Sequence, residues 1–138
     1  MLNGSCACGR IPDKIAGDLI GSLTYCHCLR CRTHFGSSFG TKAGAVATDF
    51  TSTHGETLLA SWESSPGIQR SFTRCYGAPI YERDSSSTNE LGFRLGTLDT
   101  DPGLKGELHF VAGSKVLWLE ICDHLPRDFA GSPFGKRD

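Results

Sequence analysis

Thr57-Leu58-Leu59-Ala60-Ser61-Trp62-Glu63, then Ser64-Ser65-Pro66-Gly67, then Ile68-Gln69-Arg70-Ser71-Phe72-Thr73 reads as strand, turn, strand. Leu58, Ala60 and Trp62 fall on one side of the pleat, the period of two that a half-buried strand shows. Pro then Gly suits the centre of a type II turn, because Pro presets a negative φ and Gly accepts the positive φ that follows. The punctuation continues outward in both directions. Residues 79–82 form a further strand beyond the Tyr76-Gly77 bend, and 91–98 alternate through Leu91, Phe93, Leu95 and Thr97. Asp101-Pro102-Gly103 turns the chain into two more strands, 107–112 and 116–121. Upstream, Leu23-Thr24-Tyr25 is a strand, 34–41 reads as loop then strand, and 13–22 fits either a short helix or a bulged strand. Short strands at this spacing predict an all-β, mostly antiparallel domain with little helix. That domain is expected over residues 1–127, with a flexible tail over 128–138.

Composition narrows the function. The 14 basic and 15 acidic residues give a net charge of −1 and are dispersed, so no basic face exists to attract nucleic acid. No stretch approaches the roughly 20 apolar residues of a membrane span, and MLNGSCACGR lacks the apolar core of a signal peptide. A soluble, cytoplasmic protein without a membrane or nucleic-acid partner is expected; the oligomeric state is not legible. Seven cysteines, an odd number without an export signal, read as metal ligands and buried thiols before disulfides.

Cys26-His27-Cys28-Leu29-Arg30-Cys31 places three thiols within a few residues. Three converging sulfurs suit Zn²⁺, and three protein ligands rather than four is the pattern of a zinc that keeps one position for chemistry. His27 or His34 as a fourth ligand would instead close the site. Cys6-Ala7-Cys8 looks like half of a second site. Arg30 and Arg32 flank the thiols and could pair with an anionic substrate, as could Arg70. Asp99 and Asp101 belong to a turn, and Trp62 and Trp118 to core or pocket wall. Cys122 reads as a small buried hydrophobe, and Lys115 and the histidines at 34, 54, 109 and 124 as structural or solvated.

In order along the chain stand Gly4-Ser5-Cys6-Ala7-Cys8-Gly9, the Cys26–Cys31 run, Ser64-Ser65-Pro66-Gly67-Ile68-Gln69-Arg70-Ser71-Phe72, Leu95-Gly96-Thr97-Leu98-Asp99, His109-Phe110-Val111, Trp118-Leu119-Glu120-Ile121 and Asp123-His124-Leu125-Pro126. This series resembles the glutathione-dependent formaldehyde-activating enzyme and centromere protein V family over residues 3 to about 127. The resemblance implies a β-tent fold with zinc knuckles and two zinc positions. One is catalytic, matched by Cys26, Cys28 and Cys31; the other is structural, with four cysteines. Only Cys6 and Cys8 of that second set are matched, because the family's Phe-Cys-x-x-Cys-Gly is here Phe72-Thr73-Arg74-Cys75-Tyr76-Gly77. Thr and Tyr are poor zinc ligands beside thiolate. A degraded site of Cys6, Cys8 and Cys75 remains, with Tyr76 expected to pack into the vacancy and one zinc expected per chain rather than two. The implied activity is that of a zinc-dependent carbon–sulfur lyase acting on a thiol adduct, glutathione-like, of a small carbonyl compound. Two alternatives accompany it: a zinc-dependent isomerase or hydrolase of a biosynthetic intermediate without glutathione, and a non-enzymatic zinc-stabilised binding module.

Overall fold

Eleven strands and one short α-helix occur among the described residues of the computed structural model, which are 1–9, 12–52, 56–87 and 89–129. They gather into two units, Met1–Gly21 with Ala43–Leu104 and Ser22–Lys42 with Lys105–Asp138. The fold is all-β and rich in antiparallel pairs, as expected.

In the first unit, β1 (Leu2–Ser5), β2 (Pro12–Ile15) and β5 (Phe50–Ser52) make an antiparallel sheet with β2 in the middle. Residues 13–22 are thus strand rather than helix at their start. β6 (Leu59–Ser65), β7 (Ile68–Thr73), β8 (Pro79–Asp84) and β9 (Glu90–Arg94) form an antiparallel run. Gly67 takes φ +80° between β6 and β7, the conformation the Pro-Gly turn requires. Ile15, Ala45, Ile80 and Phe93 form a buried core cluster, with the Phe50 ring edge-on to Tyr81 at 5.2 Å and tilted against Phe93 at 5.9 Å between centroids. Gly4 lies so close to the Thr97 carbonyl that a Cβ there would sit 2.6 Å from the oxygen, which fixes glycine in this strand. Asp13, on the middle strand opposite Ser52, is buried; desolvation pushes its carboxyl up to about 6, partly offset by the Ser52 side chain.

Arg70 is fully buried here. Its Nε donates to Ser64 Oγ at 2.8 Å and its Nη1 lies 3.4 Å from Glu82 Oε2, which also accepts from Arg94 Nη2 at 2.6 Å. The register explains the trio, since Arg70 faces Glu82 across β7 and β8, and Glu82 faces Gly92, whose missing Cβ makes room for the glutamate. Trp62, expected as core or pocket wall, is about half exposed. The strand expected over 91–98 ends at Arg94 and continues as a 3-10 turn, Leu95–Thr97.

In the second unit, β10 (Gly106–Phe110) pairs in parallel with β3 (Ile20–Cys26) and with β11 (Arg127–Asp128). β3 begins in the first unit and ends in this one, and β4 (Gly40–Val46) begins in this one and ends in the first. Tyr25 fills the space over Gly106, where a Cβ would strike its ring. α1 (Leu29–Phe35) takes in the end of the cysteine run and the start of the segment read as loop. Residues 116–121 are not a strand: Lys115 Nζ donates to the carbonyls of Val116, at 2.9 Å, and Leu119, taking acceptors a ladder would need. Leu117 and Trp118 are exposed in consequence, and Cys122 is exposed rather than buried. Asp101 Oδ1 accepts from Gly103 N at 2.8 Å, the turn bond anticipated for it. His54 and the tail from residue 130 lie outside the described residues.

Candidate metal centre

β3 delivers Cys26 at its end, opposite Phe110 of β10, and His27 N–H bonds the Phe110 carbonyl at 2.9 Å. The chain then turns directly into α1. Cys28 is the helix N-cap, with extended φ −62° and ψ 151°, and its Sγ accepts from Cys31 N at 3.3 Å. A sulfur therefore does what a Ser or Asp oxygen usually does, binding an orphan amide of the first turn. Gly36, at φ +61°, ends the helix with its N–H on the Arg32 carbonyl. The helix exists because both ends are capped, and it carries Cys31 back toward Cys26 and Cys28.

The three sulfurs lie within 4.8 Å of one another, and each residue is at most 2% exposed. Among the described residues no histidine nitrogen or carboxylate oxygen joins them. His27 and His34, considered above as fourth ligands, are not in the group. Hydrogen bonds with Cys28 and Cys31, then burial, push the Cys26 thiol far above the usual range. Cys28 is also raised: its bond with Cys26 lowers it, but Cys31 and burial outweigh that. Three buried thiols whose ionisation burial and mutual contact disfavour are a donor set that a divalent metal would complete. Val111 packs on the sulfurs in the left-handed region, at φ +54°, a conformation that a β-branched residue rarely adopts.

A hydrogen-bond chain unforeseen in the sequence supports the knuckle from behind. His27 Nε2 and His109 Nδ1 are 2.8 Å apart, and His109 Nε2 lies 2.9 Å from Asp123 Oδ2. The bond from His109 holds the Asp123 carboxyl below its ordinary range. Asp123 accepts the His109 Nε2 proton, and the direction of the bond between the two rings follows from their tautomers. Burial, and then the positive charge of His109, Lys115, Arg32 and Arg127, lowers His27 to about 4. Rings of Tyr25 and Phe39 enclose the pair at centroid distances of 5.3 Å.

Beside α1 runs a cleft of about 210 Å³ lined by Arg32, Thr33, Gly36, Ser37, Val116 and Trp118. Arg32 Nε donates to the His27 carbonyl at 3.1 Å, which anchors its guanidinium at the wall. Arg30 is half-buried on α1 but does not line the cleft. Arg70 belongs to the first unit, bonded to Ser64 and Glu82 as described.

A second trio, in the first unit, is Cys6, Cys8 and Cys75, whose sulfurs also lie within 4.8 Å. Although it stands one residue before the second cysteine of the Phe-Cys-x-x-Cys-Gly pattern, Cys75 brings its sulfur to the other two while remaining exposed. Tyr76 does not fill the vacancy; it is 68% exposed. Thr73 is the buried residue at the site: its hydroxyl accepts from Ala78 N at 3.0 Å and bonds Cys6 Sγ at 3.1 Å. Cys75 is raised to about 11, chiefly by its bond with Cys8.

A family model described as glutathione-dependent formaldehyde-activating enzyme matches residues 1–114. A search of curated proteins gives no match. A crystal structure of a Rhodobacter sphaeroides protein, from a structural genomics effort, superposes with a TM-score of 0.60 at 21% identity, covering 72% of this chain and 89% of that one. That likeness concerns the fold. The match over 1–114, which takes in both cysteine trios, carries the assignment: the chain belongs to the glutathione-dependent formaldehyde-activating enzyme family.

Proposed function

We propose that the chain is a zinc-dependent enzyme that makes or breaks a carbon–sulfur bond between a glutathione-like thiol and a small carbonyl compound. The observation that carries this reading is the buried Cys26–Cys28–Cys31 trio, which no fourth donor joins among the described residues. Cys26, Cys28 and Cys31 would hold Zn²⁺, which would supply Lewis acidity toward a thiolate or carbonyl. The rest falls to the chain itself. Arg32 offers a guanidinium, anchored through His27, to a substrate carboxylate. Trp118 gives the same cleft a flat apolar face for the stem of a peptide-like thiol. The cleft is smaller than the roughly 300–1,000 Å³ of pockets that enclose a whole drug-sized ligand, so it takes one end of an extended molecule. Val111 shields one side of the sulfurs, and the His27–His109–Asp123 chain keeps the Cys26 and Cys28 backbone in place. A reducing, cytoplasmic setting goes with this reading, since the sulfurs must stay reduced to hold metal.

The test is NMR exchange between free glutathione and its formaldehyde adduct, with zinc-loaded protein. Acceleration over buffer is expected, lost together with bound zinc in Cys31→Ser. Arg32→Ala should raise KM for glutathione about tenfold while kcat changes little. A zinc-loaded wild-type protein that leaves the exchange rate unchanged would remove the proposal.

A further inference from the structure

The Cys6, Cys8 and Cys75 trio is built from two glycine turns that face each other. After β1, Gly9 at φ +71° returns its N–H to the Cys6 carbonyl at 2.7 Å and presents Cys8. Between β7 and β8, Gly77 at φ +73° does the same to the Thr73 carbonyl at 2.7 Å and presents Cys75. Cys8 Sγ and Cys75 Sγ stand 2.8 Å apart at the tips, Cys8 half-buried and Cys75 exposed. Two thiolates on one tetrahedral zinc, each about 2.3 Å from it, sit roughly 3.8 Å apart. The Cys6–Cys75 spacing of 3.6 Å approaches that figure, but the Cys8–Cys75 contact is about an ångström inside it and nearer the ~2.05 Å of a disulfide. Among the described residues no fourth His, Cys or carboxylate donor joins the trio either. Thr73 stands beside it with a hydroxyl already committed to Ala78 and Cys6.

We infer that Cys8 and Cys75 form a peroxide-oxidisable dithiol, closing to a disulfide that ties the N-terminal turn to the β7–β8 turn. In the forward step the ionised sulfur of the pair attacks the peroxide O–O bond, giving a sulfenic acid and releasing water or an alcohol. The second sulfur attacks the sulfenic sulfur, forms the S–S bond and expels water. The two electrons lost by the sulfurs reduce the peroxide, and both thiol protons end in the oxygen products. Reduction requires a thiol such as glutathione, which leaves as its own disulfide. Cys6, buried and bonded to Thr73, stays outside the exchange. Cys122 is a built-in control: it is exposed, yet its sulfur lies beside the Glu120 carbonyl rather than a second thiol.

The experiment is titration of the zinc-loaded, full-length protein with hydrogen peroxide, followed by non-reducing peptide mapping and zinc counting. Expected is a loss of about 2 Da, the two thiol hydrogens, that links the Cys8 and Cys75 peptides at peroxide levels that leave Cys122 a thiol. Glutathione should reverse it, the bound zinc should remain, and Tm of the oxidised form should rise by about 5 °C or more. Cys75→Ser should abolish the link and Cys122→Ser should keep it. Two zinc ions per chain with Cys8 and Cys75 protected from peroxide would overturn the inference. So would sulfinic acid on Cys75 without a link, or a first link between other cysteines. Because the wild-type peptide map alone separates these outcomes, a variant that fails to fold does not blunt the test.

Discussion

Asp13 is a buried carboxyl whose environment works against the fold at neutral pH. Its carboxyl lies on the middle strand of a three-stranded sheet and titrates near 6 rather than near 3.8, chiefly because it is desolvated. A raised folded-state value means that the folded chain holds this proton more tightly than the unfolded one. The stabilisation is complete below about pH 4 and is lost as pH rises through 6. Chemical denaturation of the wild type should therefore weaken across that window, by on the order of 2–3 kcal/mol. Asp13→Asn should flatten the slope, and a wild-type profile without it would contradict the burial argument. Nothing in the Pro12-Asp13-Lys14 string announces this, because burial is a property of the sheet around it. The cysteines were legible for the opposite reason: close spacing alone forces their sulfurs together. His27, His109 and Asp123 are far apart in sequence and meet only through the parallel pairing of β10 with β3.

At the scale of elements, strands with alternating apolar residues were readable and capped or clamped segments were not. β7 and the turn before it follow from Pro66-Gly67 and the flanking alternation. α1 escaped because its N-cap is a cysteine, a type read first as a metal ligand. The segment 116–121 is a mostly apolar run that reads as a strand, yet it gives carbonyls of Val116 and Leu119 to Lys115. The buried ion trio of Arg70, Glu82 and Arg94 belongs to the register of β7, β8 and β9 and could not be seen before that register was known. Removing one partner of such a cluster leaves uncompensated buried charge, so Glu82→Gln should cost about 3–5 kcal/mol. Denaturant midpoints measure it, and a loss under about 1 kcal/mol would mean that the arginines find other compensation.

The two units differ in what holds them together. The first has an aliphatic and aromatic core around Ile15, Ile80 and Phe93. The second has a buried cluster of Cys26, Cys28, Cys31 and Val111, so its packing core includes the sulfurs that the proposed metal would use. Metal binding to a site of this kind adds directly to folding free energy. Chelation should accelerate amide exchange in β3, α1 and β10 and leave β7, β8 and β9 protected. Uniform loss of protection in both units would show that the metal stabilises the chain as one body. The family match and the all-β class were open to a reader of the sequence, but this division of labour was not, since it depends on which side chains are enclosed.

Val111 leaves a last consequence. Its left-handed backbone costs roughly 1–2 kcal/mol, and enclosing its side chain returns about 1.5–3 kcal/mol. These nearly offset, so thermodynamics scarcely distinguishes valine from glycine at this point. What glycine would forfeit is shape, a branched hydrocarbon in the cluster with the three cysteines. Selection for durability alone would have little reason to keep it.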